Sequence, residues 1–487
     1  MSATALSLMV VLPLAGVLLC MALSRALARV VALLTAAAVV CIAGWSIASV
    51  FVRESHYAFG RLPWLEPLAD TQLFGVLLDP LAAVLLLVVV VIGFLTVLFS
   101  TDYLSMGNRD HPVGPEDQGR YYRWLLLFLA SMVGVALSPN FLQLFIFWEL
   151  TTVCSWALIS FHQTEKSLHA GFKALIMTHI GGLFFLFALL ILFADARSFE
   201  FDALGKLSSG SRTVVFVCLM VAAWAKAAQV PLHTWLPEAM EAPTPISAYL
   251  HAAAMVKAGV YLMARSASSG WVMPSGVAWV LGLMAVVTIL VALSFYFVQD
   301  DLKRLLAYST IAHLGYVLLG VALGALGSVE GFRGGVLHIV CHGFSKATLF
   351  LCVGAIAYVT GSRSISQLSG LARSMPLTAT AFFVGVLAVT GVPPFACFWS
   401  KFMLLAGAMK LPGAIGPLLL VVLLGESLIA FGWMLYVAQK IFLGSPSPVA
   451  QVHSDPPFAM TLTLIILMLG CLAAPAIGIP LVELIGR

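Results

Sequence analysis

Apolar runs of about 20 residues, parted by short polar or Pro/Gly-rich breaks, succeed one another along the whole chain. A bilayer core about 30 Å thick takes roughly that many apolar residues to cross as an α-helix. Fourteen runs qualify: 5–24, 30–52, 80–100, 122–137, 140–161, 168–194, 212–240, 246–266, 272–297, 303–326, 333–360, 376–408, 413–443 and 457–482. The longest polar segments, 53–79 and 101–121, are too short for a separate extramembrane domain. The pattern therefore predicts an all-α polytopic membrane protein of about 14 transmembrane helices. Residues 1–24 lack a basic start and are followed at once by another apolar run, so they read as a first span rather than a cleaved signal.

Two runs carry proline where a helix should continue. One reads WAKAAQVPLHTWLPEAM, with Pro231 and Pro237; the other reads AVTGVPPFACFWSKFMLL, with Gly391, Pro393 and Pro394. Proline deletes a backbone hydrogen bond and kinks or splits a helix. In a bilayer the freed groups are tolerated only against protein or water. A plain kink is the simpler reading. The lysine beside each break, Lys226 and Lys401, favours a functional one.

The stretch GFKALIMTHIGGLFFLF at 171–187 is echoed by GFSKATLFLCVGAIA at 343–357. The echo aligns spans four to eight with nine to thirteen as two five-helix repeats. An odd number of helices inverts the second copy, an arrangement found in transport proteins. The expected organisation is three N-terminal spans and loops (1–121), a first repeat (122–266), a second, inverted repeat (272–443) and a C-terminal span (457–487). The match is imperfect: Lys226 precedes its break, Lys401 follows its own, and the tenth span has no counterpart of Glu149.

Composition supports the class: 61% of residues are hydrophobic and 9% charged. A net charge of +4 gives no reason to expect nucleic acid. With the N-terminus outside, the inside loops carry Arg25, Arg29, Arg109, Arg120, Arg123, Lys166, Lys303, Arg304, Arg363, Arg373 and Lys440. The outside loops carry Arg53, Arg61, Arg197, Lys206, Arg212, Arg265, Arg333, Lys410 and Arg487. Eleven against nine favours both termini outside. The eight cysteines form no C-x-x-C pair, which argues against an iron–sulfur or zinc site in this chain, and they read as small buried hydrophobes.

Against this background, charges inside the spans stand out: Glu149, Lys173, Lys226, Lys257, Lys346 and Lys401. Each costs roughly 2.5–3.5 kcal/mol on insertion scales. Groups so costly are kept where charge or protons move, and six along one chain read as a path. Glu149 and Lys226 are each mid-span and are expected to pair, either as a proton-storing couple or as a static ion pair. His251 lies six residues, about 9 Å of helix, before Lys257, within reach of one or two waters. His338, His342 and Lys346 follow at i, i+4 and i+8 as one stripe, suited to a proton relay. A metal site is the other reading of that stripe, and it lacks a carboxylate or thiolate beside it. Lys173 either joins the path or snorkels to the surface. Lys401 is the outlet group, with Glu426 its partner or a packing residue. His313 and Tyr316 are placed to carry hydration between the halves. Lys303 and Arg304 read as topology anchors.

The stretches FWELTTVCSWALISF, KAAQVPLHTWLPEAMEAPTPISAYLHAAAMVKAGVYLMAR, HGFSKATLF and LAVTGVPPFACFWSKF resemble the antiporter-like membrane subunits shared by respiratory complex I, Mrp cation/proton antiporters and membrane-bound hydrogenases. EAPTPISAYLHAA, with Glu241, and THIGG at 178–182 are most similar to the hydrogenase-4 branch of that family. Where many relatives carry an Arg-x-Gly-Asp-like sequence, this chain has His179-Ile180-Gly181-Gly182.

The resemblance implies fourteen helices with two half-channels. It assigns Glu149 and Lys226 to the first, Lys257 to a bridge, and His338, His342, Lys346 and Lys401 to the second. It further implies a proton-translocating subunit of a multisubunit redox complex, without covalent chemistry of its own, in a prokaryotic cytoplasmic (inner) membrane. The expected partners are other antiporter-like subunits and a peripheral redox arm. No cofactor is expected in this chain; iron–sulfur clusters and a nickel–iron site or flavin belong to those partners. The alternative is an Mrp-type sodium/proton antiporter module with no redox partner. The chain stops soon after the fourteenth span, where some relatives carry a long lateral helix, so the resemblance reads as a core pump module.

Overall fold

The computed structural model describes residues 2–22, 25–52, 55–59, 74–450 and 454–486. Arg53, Arg61 and Arg487 of the outside set lie beyond the described residues, as does the side chain of Arg25. The chain forms α1 (Ala3–Ala22), α2 (Arg25–Val50), β1 (Ser55–Phe59), β2 (Phe74–Leu78), α3 (Pro80–Tyr103), α4 (Pro115–Leu137), α5 (Phe141–Ile159) and α6 (Glu165–Ala196). These are followed by α7 (Ser209–Lys226), α8 (Trp235–Glu238), α9 (Thr244–Ala252), α10 (Met255–Ser268), α11 (Ser275–Ser294) and α12 (Leu302–Ala325). The last elements are α13 (Val329–Thr360), α14 (Pro376–Thr390), α15 (Ala396–Ala408), α16 (Ile415–Phe442) and α17 (Phe458–Glu483).

Short polar motifs set the helix ends. Asp79 caps α3, accepting from Ala82 N at 2.8 Å, with Pro80 in the first turn. Asn140 caps α5 through Gln143 N at 2.9 Å, and Asp301 caps α12 through Arg304 N at 3.0 Å. Gly361 closes α13 at φ 75° and Gly391 closes α14 at φ 91°, the left-handed conformation that glycine adopts without a Cβ penalty.

Among the described residues, twelve helices are long and apolar enough to cross a membrane, counting α9–α10 as one. The fourteen expected from the sequence require the interrupted stretches α7–α8 and α14–α15 to cross as well. The break in 376–408 falls where the prolines put it, between α14 and α15. Helix α7 ends at Lys226, and the chain to Thr234 is irregular. A third break was not foreseen. The run expected as one helix over 246–266 stops at Ala252 and restarts at Met255, with Ala254 at φ −106° and ψ −114°. No proline or glycine marks it, which is why the pattern hid it. A second departure from the all-α reading is the antiparallel hairpin β1–β2, which pairs Ser55 with Leu78 and Phe59 with Phe74.

Helices α9, α10, α12 and α13 form the centre, buried throughout their most apolar windows, whereas α1, α2, α6 and α16 turn large apolar side chains outward. Between helices in lipid no hydrophobic drive operates, and close packing of small residues takes its place. Helices α12 and α13 meet at Gly320 and Gly335, where a Cβ on Gly320 would stand 2.5 Å from the Gly335 Cα.

Candidate ion-path site

In the first half, Glu149 sits on α5 and Lys226 is the last residue of α7. The expected ion pair between them is not made. Lys226 is fully buried and donates to Trp148 O at 2.6 Å and Thr152 Oγ1 at 2.9 Å, with its Nζ 4.4 Å from the centre of the Trp148 ring. Trp148 and Thr152 are one turn apart on the same face of α5; Glu149 lies about 100° around it. That rotation faces Glu149 toward α6, where its Oε2 is 2.9 Å from His179 Nδ1. Gly182 makes room for the carboxylate, since a Cβ there would lie 2.1 Å from Glu149 Oε1. His179, which stands where many relatives carry an Arg-x-Gly-Asp-like sequence, is thus the direct partner of Glu149. Its side chain is 56% exposed on the outer surface of α6.

Lys173, with its side chain 29% exposed, has a carboxylate partner. It is paired at 2.5 Å with Glu238 of α8, in the broken segment, a partner the sequence reading had not singled out. Two of the break's polar groups find partners, Val230 N donating to Thr288 Oγ1 at 3.2 Å and Trp235 Nε1 to Ala225 O at 2.9 Å, while Gln229 Oε1 and His233 Nδ1 meet none among the described residues.

At the centre, Lys257 on α10 is 2.8 Å from His342 Nδ1 on α13, joining the bridge to the second half directly. His251 is not connected to Lys257 through a continuous helix, because the α9–α10 break lies between them. The His251 ring packs on Phe350 with centres 4.9 Å apart, and neither ring nitrogen meets a partner among the described residues. Lys303, expected as a surface anchor, is buried, and it donates to Met240 O and Ala242 O at 2.6 Å each. Arg265 is likewise buried, in a bidentate pair with Asp79.

The second half contains the longest run of direct contacts. His313 Nδ1 on α12 is 2.8 Å from His338 Nε2 on α13, with the rings parallel within 3°. The other nitrogen of His338 is 2.8 Å from Ser400 Oγ on α15. His313 and His342 rings lie 5.1 Å apart. Lys401, next to Ser400, donates to Ser427 Oγ at 2.8 Å and lies 3.6 Å from Glu426, which also accepts from the Tyr316 hydroxyl. Glu426 is therefore the partner of Lys401. Lys346 shares the histidine stripe but turns its Nζ to Leu306 O at 3.1 Å. The cysteines are buried as expected except Cys41, which is exposed. Cys397 is brought beside His313 and His338, supplying the thiol that the sequence reading found missing there.

Ionisable side chains strung through a buried helical core, beside helices that stop within it, define an antiporter-like multi-pass membrane protein. Residues 138–430 match the family "NADH:quinone oxidoreductase/Mrp antiporter, TM", and residues 64–112 match "NADH-Ubiquinone oxidoreductase (complex I), chain 5 N-terminus". The chain belongs to this NADH:quinone oxidoreductase/Mrp antiporter family.

It is 38% identical over 395 residues to the chloroplast NAD(P)H-quinone oxidoreductase subunit 5 of Anthoceros angustus, covering 75% of this chain and 52% of that protein. It is 37% identical over 407 residues to Na(+)/H(+) antiporter subunit A1 of Staphylococcus haemolyticus (strain JCSC1435), covering 77% and 48%. The chain thus spans about half the length of these curated relatives. The fold superposes on a chain of the Mrp complex from Dietzia sp. DQ12-45-1b with TM-score 0.84 and 28% identity, covering 99% of this chain and 52% of that one. It also superposes on a chain of the membrane-bound sulfane sulfur reductase, an archaeal respiratory membrane complex, with TM-score 0.85 and 25% identity, covering 99% and 96%.

Proposed function

We propose that this chain is a proton-translocating subunit of a multisubunit membrane redox complex, complex I-like or hydrogenase-4-like, in a prokaryotic inner membrane. The observation that carries the reading is the run Lys257–His342 and His313–His338–Ser400, buried at the junction of α10, α12, α13 and α15. Imidazoles that donate on one nitrogen and accept on the other pass protons along such contacts. Lys401, Glu426 and Tyr316 stand at the far end, and Glu149, His179 and Lys226 at the near end. The gap between Lys226 and Lys257 is bridged by hydration, for which the unsatisfied Oε1 of Gln229, three residues beyond Lys226, offers a polar group. The two ends belong to two inverted repeats, each holding a half-channel.

A membrane partner is part of this reading. Glu149, Lys173 and His179 reach the outer surface of α5 and α6 among exposed Phe172, Ile176 and Leu183. Polar groups cost too much against lipid to be left there, so a second membrane subunit covers them. A redox arm carrying iron–sulfur clusters with a nickel–iron site or flavin supplies the energy, and shifts the charge at Glu149. The test is Lys226→Ala in the assembled complex: assembly persists, and proton translocation into vesicles is lost. Unchanged translocation refutes the reading. The rival, an Mrp-type antiporter, is favoured by sodium-dependent transport without a redox donor.

A further inference from the structure

Three helices converge on His313, His338 and Cys397. One ring nitrogen of each histidine and the Cys397 Sγ lie within 4.8 Å of one another, and all three residues are buried. His338 Nδ1 is 2.8 Å from Ser400 Oγ, the kind of contact that orients a metal-binding imidazole. Ser345 Oγ lies 3.8 Å from the Cys397 sulfur. We propose that His313, His338 and Cys397 form a binding site for a soft monovalent metal ion, of the copper(I) or silver(I) class.

The donor set selects the ion. Two imidazoles and a thiolate in a trigonal arrangement suit copper-type ions, and thiolates favour soft metals over hard ones. Charge selects the valence. Lys257 lies against His342, and Lys401 stands beside Ser400 on the same helix turn. Binding replaces the Cys397 thiol proton, which leaves to bulk solvent, with the metal ion. A monovalent ion exchanges one positive charge for one, and the net charge of the buried site is unchanged. A divalent ion adds a positive charge beside two lysines, with Glu426 already committed to Lys401. The geometry needs small movements. Bonds of about 2.0 Å to nitrogen and about 2.3 Å to sulfur set N···N at about 3.5 Å and N···S at about 3.7 Å at trigonal angles. The His313–His338 contact, now 2.8 Å, opens slightly, and the sulfur closes from within its 4.8 Å limit. The bound ion would take ring nitrogens of the two histidines whose contact now links His313 to His338. On the proposed function, it therefore blocks proton movement.

The test uses the intact chain in its native complex and silver(I), which does not change oxidation state. Silver bound per chain is measured at low free silver for wild type, Cys397→Ala and Cys397→Ser. Wild type is expected to hold one silver more than either variant. X-ray absorption of the copper(I)-loaded protein is expected to show nitrogen together with sulfur. Equal silver in wild type and variants, or a sulfur-only environment reporting the other cysteines alone, overturns the proposal. If the alanine variant fails to assemble, the near-isosteric serine decides. In vesicles, with each protein's rate taken relative to its own silver-free rate, silver is expected to inhibit wild-type translocation at concentrations about tenfold or more below those needed for Cys397→Ser. A binding difference without any measurable translocation leaves the metal site standing and refutes the pump reading instead.

Discussion

Removing Lys401 leaves Glu426 as an uncompensated carboxylate in the membrane core. The Glu426 side chain has no exposure, and the Lys401 Nζ stands 3.6 Å from it. At an effective dielectric of about 20, unit charges at that separation attract by about 4.6 kcal/mol. That figure is the same size as the roughly 3–5 kcal/mol lost when one partner of a buried pair is deleted. Tyr316 and Ser427 give Glu426 two further hydrogen bonds, so part of the penalty is absorbed. Lys401→Met is therefore expected to destabilise the chain by a few kcal/mol and abolish translocation. In Lys401→Met/Glu426→Gln both charges are gone and the Tyr316 contact to the amide oxygen survives. This double variant is expected to recover most of the lost stability and none of the translocation. The assays are thermal unfolding of the detergent-solubilised complex and dye-monitored acidification of vesicles, run on the same preparations. A double variant no more stable than the single one refutes the assignment of Glu426 as the buried counter-charge. Translocation retained in Lys401→Met refutes the outlet role.

Two further expectations follow from the packing and from the loops. Gly320→Ala puts a Cβ 2.5 Å from the Gly335 Cα and is expected to force α12 from α13, destabilising the complex and slowing transport, whereas Gly44→Ala, with open space around it among the described residues, is expected to change neither. Where the α5–α6 turn meets the α3–α4 loop, the His162 ring packs on His111 with centres 4.3 Å apart and planes tilted by 32°. Burial, and then the charges of His111, Lys303, Arg363 and Arg120, push its pKa down to about 3. An unfolded histidine titrates near 6.5, so on acidification the unfolded chain takes up the proton first. Stability from the neutral ring is complete above about pH 6.5 and is lost as pH falls toward about 3. His162→Gln is expected to flatten the melting temperature over that window; a profile as steep as wild type counts against a neutral, half-buried ring.

Much of the site could be read without coordinates because charge in an apolar run is conspicuous. Glu149, Lys226, Lys257 and Lys401 need only their position in a span to be noticed. Their partners could not be read, because partnership depends on rotation about the helix axis and on which helix lies opposite. One residue of rotation took Glu149 off Lys226 and onto His179. Lys303 read as an anchor because it begins a helix; its burial against the carbonyls of Met240 and Ala242 depends on where the first broken segment ends. The interruption between Ala252 and Met255 carries no proline or glycine, and it arises where α9 and α10 pack against different neighbours.

The sequence by itself determined the class of this protein. No aqueous fold can bury so continuous an apolar pattern, and a bilayer forces each run into helix to satisfy its backbone. It also determined two of the breaks, because proline cannot donate the hydrogen bond a helix needs there. Only the tertiary structure decided which ionisable groups touch: the Lys257–His342 link, the His313–His338–Ser400 run, and the Cys397 thiol beside them. Those contacts join residues 25 to 85 positions apart. Hydrophobic periodicity records how far a side chain is from water and nothing about which neighbour it meets.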